Sequence, residues 1–196
     1  MKLREYRPQG LQTFFILERR DIDVEPGEGL RVLGLDPGIN ITGYGVVEMR
    51  GGAVELVEGG VLRTDPKDPL ELRLRTLHEA LGGVLEEFRP SCVAVEALFT
   101  HYQRPRTAIV MGHARGALLL AAAQHDLAVT GYPPSRVKKA ITGSGRASKE
   151  QVQGAVAASL GIDEAPKPAD VSDALAVALC HCDALRRESV HGGGDA

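Results

Sequence analysis

RVLGLDPGINITGYG, residues 31–45, is the stretch whose pattern predicts the fold of this chain. Its first five residues form a short apolar run typical of a buried strand, and Pro37 and Gly38 then impose a turn. Asp36 is therefore expected at the exposed end of the strand, where a hard divalent cation would bind its carboxylate. An ordinary turn Asp is an alternative for this stretch alone, because Asp is common in turns.

The rest of the chain is patterned as a single α/β domain, which suits a length of 196 residues. A second apolar strand, residues 91–95, ends in Glu96 just as the first ends in Asp36. An amphipathic helix over 69–88 joins them, and strands joined by a helical crossover run parallel, so both acids are expected at one sheet edge. The other predicted elements are strands over 42–48 and 53–63 with a hairpin turn at Gly51–Gly52, a strand over 128–132, helices over 107–125, 149–160 (capped by Ser148) and 174–185, and a short basic helix capped by Ser135.

Two further acids, Asp170 and Asp173, precede the final predicted helix and face the same way because they lie three residues apart. For this pair alone, an N-cap Asp followed by an Asp that pairs with the helix dipole is the simpler alternative. Together with Asp36 and Glu96, however, they form an oxygen-rich cluster that would repel itself unless cations lay within it. Two divalent ions about 4 Å apart can activate a water and stabilise the leaving oxygen in phosphodiester hydrolysis. The sequence therefore predicts a metal-dependent site.

Basic residues are concentrated in the middle of a chain whose net charge is −3. Residues 101–153 contain eight Lys and Arg residues and two acidic residues, which suits a polyanionic partner, although such runs also occur on solvated surfaces. Lys149 lies at a predicted helix start, where backbone N–H groups and the helix dipole favour a phosphate. These features indicate a nucleic-acid partner.

The predicted loop over residues 98–105 and the residue after it combine aromatic and basic side chains. This combination suits a surface that stacks a base and neutralises phosphates. A partly buried Phe that anchors the loop is the alternative. The candidate DNA contacts here are Phe99, Tyr102, Arg104 and Arg106.

The composition argues against membrane and disulfide-rich classes. No segment approaches the roughly 20 apolar residues of a membrane span, and the N-terminus lacks a signal-peptide pattern. The three cysteines are poorly spaced for a disulfide framework or a zinc site, which fits a reducing compartment. A cytoplasmic protein without membrane contact is therefore expected.

Five motifs in order resemble the RuvC family of Holliday-junction resolvases: LGLDPGINITGYGVV, VAVEALF, SRVKKAITG, ASKEQVQ and PADVSDALAVALCH. The resemblance covers about residues 31–185 and implies an endonuclease with a ribonuclease H-like mixed five-stranded sheet flanked by helices. It assigns DNA contacts to Lys138 and Lys149 and stacking at the junction centre to Phe99. The acids that it assigns to metal binding and catalysis are Asp36, Glu96, Asp170 and Asp173.

The resemblance also implies partners: four-way junction DNA, Mg²⁺ or Mn²⁺ with two ions per active site, a second copy of the chain, and a branch-migration motor complex in recombination and repair. The helix over 107–125 is the candidate dimer interface, because it is apolar nearly all round and must be covered by the core or by a second subunit. Residues 1–30 are expected to be an extension of unknown role, residues 31–187 the nuclease domain, and residues 188–196 a flexible tail.

Two other functional classes stay open at this point. GLDPGINITG also resembles the first phosphate loop of sugar kinases and actin-like ATPases, although their second lobe and adenosine loop are not evident. A non-catalytic junction-binding protein is the other class, although DNA binding gains nothing from four clustered carboxylates. A nucleotide-binding assay and a cleavage assay separate these two classes from a nuclease.

Overall fold

The computed structural model describes residues 29–97 and 105–192, which form one mixed sheet with helices on both faces. The strands are β1 (Leu30–Asp36), β2 (Ile41–Arg50), β3 (Ala53–Arg63), β4 (Cys92–Glu96) and β5 (Ala128–Tyr132). The helices are α1 (Leu70–Phe88), α2 (Pro105–Gln124), α3 (Pro134–Thr142), α4 (Lys149–Leu160) and α5 (Ala169–Gly192).

The sheet has the strand order β3-β2-β1-β4-β5. Strands β1, β2 and β3 form an antiparallel meander, whereas β1, β4 and β5 run parallel. The hairpin between β2 and β3 turns at Gly51 and Gly52, whose φ angles of 57° and 86° lie in the region that glycine adopts without strain. The predicted five-stranded mixed sheet is confirmed, and its parallel half leaves β1 and β4 ending side by side.

Alternating side chains of the central strands supply two hydrophobic clusters, one on each face of the sheet. Leu33 and Leu35 pack with the buried residues of α1 and α2. Val32 packs on the other face with the buried residues of α3, α4 and α5. Burying an aliphatic side chain of this size stabilises a fold by about 1.5 to 3 kcal/mol, so both layers contribute.

Helix α5 packs directly against the strand backbone because glycines face it. A Cβ at Gly34 would overlap the carbonyl oxygen of Ala174 and lie 2.7 Å from the backbone nitrogen of Ala178. A Cβ at Gly43 would overlap the carbonyl oxygen of Asp170. This close approach places the first turn of α5 over the ends of β1 and β2.

Helix α5 is longer than predicted at both ends. It begins at Ala169, so Asp170 lies inside the first turn and is not the N-cap residue. It continues to Gly192, so residues 188–192 are helical where the sequence predicts a flexible tail.

Helices α3 and α4 differ in how well the sequence predicts their caps. The N-cap residue of α3 is Pro133, and the predicted cap Ser135 lies within the helix. A proline at the first helical position removes a donor that would otherwise lack a partner there. The cap of α4 is confirmed, because the Ser148 side chain accepts from the Gln151 amide in a reciprocal capping box.

Helix α2 is covered by the core on one side only. Ala114 and Leu118 are buried, whereas Ile109 and Leu120 are 60% and 54% exposed. The sequence analysis expects either the core or a second subunit to cover this helix. The core alone leaves part of its apolar surface exposed. In the part of the chain that the structure describes, no helix is long and apolar enough to cross a membrane.

Replacing Gly34 with Ala is expected to lower the free energy of unfolding by roughly 1 to 3 kcal/mol, because the added methyl group would push α5 off β1. Gly83→Ala is the matched control, since Gly83 lies in α1 and an added Cβ would meet no atom within 4 Å beyond the local backbone of its own helix. It should raise the stability by about 0.5 to 1 kcal/mol. Urea unfolding measures both effects, and a neutral or stabilising Gly34→Ala would contradict the packing of α5.

Candidate active site

The ends of β1 and β4 place two carboxylates side by side. Leu35 and Val95 are partners in the parallel register, and each is followed directly by an acid, Asp36 or Glu96. The two carboxyl groups share a hydrogen bond, which Asp36 donates while it carries the proton. Burial, followed by the charge of Glu96, raises the pKa of Asp36 from 3.8 to about 8. Burial also raises the pKa of Glu96.

The start of α5 brings the other two predicted acids to the same sheet edge. After burial and Glu96, the negative charges of Asp173 and Asp170 add to the rise in the pKa of Asp36. These acids come this close because Gly43 of β2 has no side chain to hold off the backbone of α5. Two strand ends and one helix start thus bring together all four predicted acids.

Two lysines on the helices beside α5 face these acids. Lys149 Nζ lies 2.8 Å from Asp173 Oδ2, and this pair raises the pKa of Lys149. Lys138 Nζ instead donates to the carbonyl oxygen of Ala147 at 2.9 Å, which ties α3 to the loop before α4. Burial is the largest cause of the raised pKa of Glu96. The positive charges of Lys138 and Lys149 lower this pKa in part.

A cleft of about 190 Å³ opens between the acids and the lysines. Its charged lining comes from β4, α3, α4 and α5, and apolar side chains of the three helices complete the wall. The charged residues that line it are Glu96, Lys138, Lys149 and Asp173. The cleft therefore places two ammonium groups directly beside the carboxylates.

The donor chemistry of the four acids fits a hard divalent cation, which prefers carboxylate oxygens. Burial raises the pKa of Asp36 most, the negative charges of the other acids raise it further, and a cation would relieve the repulsion among these charges. As the side chains stand within residues 29–97 and 105–192, no group of three or more His, Cys, Asp or Glu residues is arranged to hold a metal ion. Lys149 engages Asp173, so a cation that used all four acids would have to displace this lysine.

The turn that follows Asp36 is held by two sets of side-chain hydrogen bonds. Thr42 Oγ1 donates to the carbonyl oxygen of Gly38 at 2.7 Å and accepts from its amide at 3.2 Å. The turn is therefore fixed on the side of β2, which restricts the position of the preceding carboxylate.

Arg73 of α1 holds the other side of this turn, a role that the sequence analysis missed. Its guanidinium donates to the carbonyl oxygen of Ile39 at 3.1 Å, to Thr64 Oγ1 at 3.0 Å and to Asn40 Oδ1. Thr64 Oγ1 itself donates to the carbonyl oxygen of Ile39 at 2.5 Å. Ile39 and Asn40 lie 34 and 33 residues before Arg73, Thr64 lies 9 residues before it, and no local pattern signals these contacts.

The predicted DNA contacts fall in different parts of the chain. Phe99, Tyr102 and Arg104 lie outside the described residues and stay predictions. Arg106 is exposed in the first turn of α2. Lys138 and Lys149 line the cleft beside the acids.

Sequence comparison decides the family. Residues 32–181 match the family model described as crossover junction endodeoxyribonuclease RuvC. A protein of that name from Rhodopirellula baltica is 47% identical over 159 residues, which cover 81% of this chain and 89% of that protein. The chain belongs to the RuvC family.

Solved RuvC structures have the same architecture. The Thermus thermophilus RuvC structure is 41% identical, with a TM-score of 0.74, and the match covers 81% of this chain and 97% of that one. T. thermophilus RuvC in complex with a Holliday junction substrate is 40% identical, with a TM-score of 0.77, and the match covers 82% and 97% of the two chains. The predicted RuvC resemblance and ribonuclease H-like fold are confirmed.

Arg73→Gln is expected to lower the free energy of unfolding of this RuvC-family chain by roughly 1 to 3 kcal/mol, because several acceptors in and beside the Asp36 turn lose their donor. Arg75→Gln, on the same helix, is the charge-matched control. Arg75 is 65% exposed and lies 3.8 Å from Glu79, so its loss should change stability by about 0.5 kcal/mol or less. Equal effects in urea unfolding would show that Arg73 does not hold the turn.

Asp36→Asn is expected to stabilise the chelator-treated protein at pH 8 by roughly 1 to 3 kcal/mol and to change it much less at pH 5. The folded pKa of Asp36, about 8, lies above its ordinary value of 3.8, so the folded chain holds the proton more tightly than the unfolded chain. Stability is therefore lost as the pH rises from about 4 to about 8. Asn keeps a donor toward Glu96 and carries no charge.

Urea unfolding at both pH values with a chelator present measures this effect. Asp163→Asn, at an exposed position after α4, is the control for loss of one carboxylate. If Asp36→Asn and the parent lose stability equally between pH 5 and pH 8, the electrostatic account of the cluster is wrong.

Proposed function

We propose that this chain is a structure-specific endonuclease that resolves four-way (Holliday) DNA junctions by paired, symmetric, metal-dependent phosphodiester hydrolysis during recombination and repair. The observation that carries the proposal is the convergence of four carboxylates at the edge of the sheet where β1 and β4 end. Membership of the RuvC family supports it, because the relatives are crossover junction endodeoxyribonucleases.

The four acids would hold the metal, and Mg²⁺ or Mn²⁺ with two ions per site is the proposed form. When bound, such ions activate a water and stabilise the leaving oxygen of an in-line displacement. Asp36 and Glu96 orient oxygens from neighbouring strand ends, which are rigid. Asp170 and Asp173 add oxygens from α5, so the set closes only when this helix is docked on the sheet. The acids proposed as catalytic metal ligands are Asp36, Glu96, Asp170 and Asp173.

The basic residues would hold the DNA next to these acids. Lys138 and Lys149 line the cleft and supply positive charge where the cleaved strand must enter. Arg106 lies exposed at the start of α2 and would contact phosphates there. Aromatic stacking and further positive charge are proposed for three residues between β4 and α2 that lie outside the described residues: Phe99, Tyr102 and Arg104.

A homodimer is part of the proposal because a four-way junction needs two equivalent nicks, which an isologous pair of subunits supplies. Helix α2 supports this, since Ile109 and Leu120 expose apolar side chains that the core does not cover. A branch-migration motor complex is the proposed further partner, and the cytoplasm is the proposed place of action. Both extend the family resemblance.

The experiment that tests this function is incubation of the protein with mobile and immobile four-way junctions and with plain duplex, each with and without Mg²⁺ or Mn²⁺. Paired nicks in the junctions that require the metal support the proposal. Equal cutting of plain duplex, or junction binding without cutting under every condition, would contradict it. Nucleotide binding without cleavage would favour the phosphate-loop class instead.

Asp36→Asn, Glu96→Gln and Asp173→Asn are each expected to retain junction binding and to lower the rate of metal-dependent cleavage by about 100-fold or more. The reason is that each removes one charged ligand from the metal set and leaves the DNA-binding lysines Lys138 and Lys149 in the chain. Gel-shift and single-turnover cleavage assays separate the two effects. Asp163→Asn is the matched control and should cut at the parental rate, and normal cutting by any of the three variants would refute that residue's role.

A further inference from the structure

The two lysines of the cleft are held in different ways. Lys149 Nζ is paired with a carboxylate, 2.8 Å from Asp173 Oδ2. Lys138 Nζ is held by the neutral carbonyl oxygen of Ala147 at 2.9 Å. Both positive charges act on Glu96, so both lie within electrostatic reach of the acid cluster. Only Lys149, however, lies against one of the proposed metal ligands.

The backbone of Lys149 is fixed while its side chain is not enclosed. Ser148 and Gln151 form a capping box that sets the start of α4. The Lys149 side chain is 55% exposed and that of Asp173 26% exposed, so the pair lies at the mouth of the cleft rather than in the core. An ion pair of this exposure is only weakly stabilising, so Lys149 can exchange Asp173 for a stronger partner.

An ammonium group and a divalent cation cannot both use the Asp173 carboxylate at little cost. Each needs the same oxygens at short range, and their positive charges repel one another at such distances. A divalent ion carries twice the charge and would also ligate Asp36 and Glu96, whereas Lys149 contacts Asp173 at 2.8 Å and reaches Asp36 and Glu96 only by longer-range attraction. The stronger ligand set therefore favours the metal in this exchange.

We propose that Lys149 and a divalent cation compete for Asp173, so that metal binding releases the Lys149 ammonium group into the cleft, where a DNA phosphate takes it up. This inference rests on the proposed function, because it requires Asp173 to be a metal ligand. The competition couples metal binding to DNA binding. A ligand that frees Lys149 for DNA strengthens DNA binding, and DNA must strengthen metal binding by the same factor.

The test measures metal binding to the full chain without DNA. Mn²⁺ is titrated into the protein, and the free ion is followed by its electron paramagnetic resonance signal. Lys149→Gln is expected to bind Mn²⁺ about three- to tenfold more tightly than the parent, because the competitor has been removed. Lys138→Gln removes the same charge from the same cleft without freeing a ligand and is expected to tighten binding by about twofold at most.

Lys149→Arg provides the second variant, since it keeps the charge and the pairing with Asp173. Its Mn²⁺ affinity should stay within about twofold of the parent. Thermal unfolding of all variants checks that each is folded. Unchanged affinity in Lys149→Gln, or equal tightening in Lys149→Gln and Lys138→Gln, would overturn the competition.

Asp36→Asn distinguishes failure of this inference from failure of the proposed function. If the parent binds Mn²⁺ and Asp36→Asn weakens that binding, the metal site stands, and the two lysine variants then decide whether Lys149 competes. If the parent binds no Mn²⁺, or Asp36→Asn binds it as well as the parent, the proposed metal site fails and the competition fails with it.

Discussion

The contact of α5 with the glycines of β1 and β2 is the constraint on which the candidate active site depends. Two of the four acids lie on strands that hydrogen bonding fixes, and the other two lie on a helix whose backbone packs directly against those strands. Gly34 and Gly43 let the helix backbone lie against the strands, and side chains there would separate the two halves of the site. The oxygens converge because two residues lack a side chain.

This convergence has an energetic cost that the rest of the domain offsets. Buried carboxylates close enough to raise the pKa of Asp36 to about 8 oppose folding at neutral pH. The hydrophobic clusters on both faces of the sheet stabilise the fold and offset this unfavourable free energy. Carboxylates that repel one another without a cation are well suited to bind one, because binding relieves the repulsion.

The sequence predicts the strand ends well and the helix starts less well, for a physical reason. An apolar run that ends in an acid and a turn is a local pattern, and the crossover rule then places Asp36 beside Glu96. The start of α5 depends on an irregular proline-containing connection, so Asp170 could be taken for a cap when it lies inside the first turn. Ser135 is a good capping residue by type, but Pro133 and Pro134 already set where α3 begins.

Contacts between distant side chains are beyond local patterns altogether. Neither the hydrogen bonds of Arg73 to the turn after Asp36 nor the pairing of Lys149 with Asp173 has a sequence signature. Gly43 and Gly45 of β2 are a partial sequence signal for close helix packing. They lie two residues apart, so one face of the strand has no side chains at these positions. What packs against that face becomes evident only in three dimensions.

The sheet separates two packing layers, and this has a consequence for how such a chain can change over evolutionary time. The acids and the charged cleft belong to the layer of α3, α4 and α5, whereas α1 and the half-covered α2 belong to the other. Substitutions that repack the second layer can accumulate without shifting an oxygen of the site as long as Arg73 of α1 keeps its hydrogen bonds to the turn after Asp36. Related proteins can therefore differ widely in the packing of α1 and α2 and still share the same active-site residues.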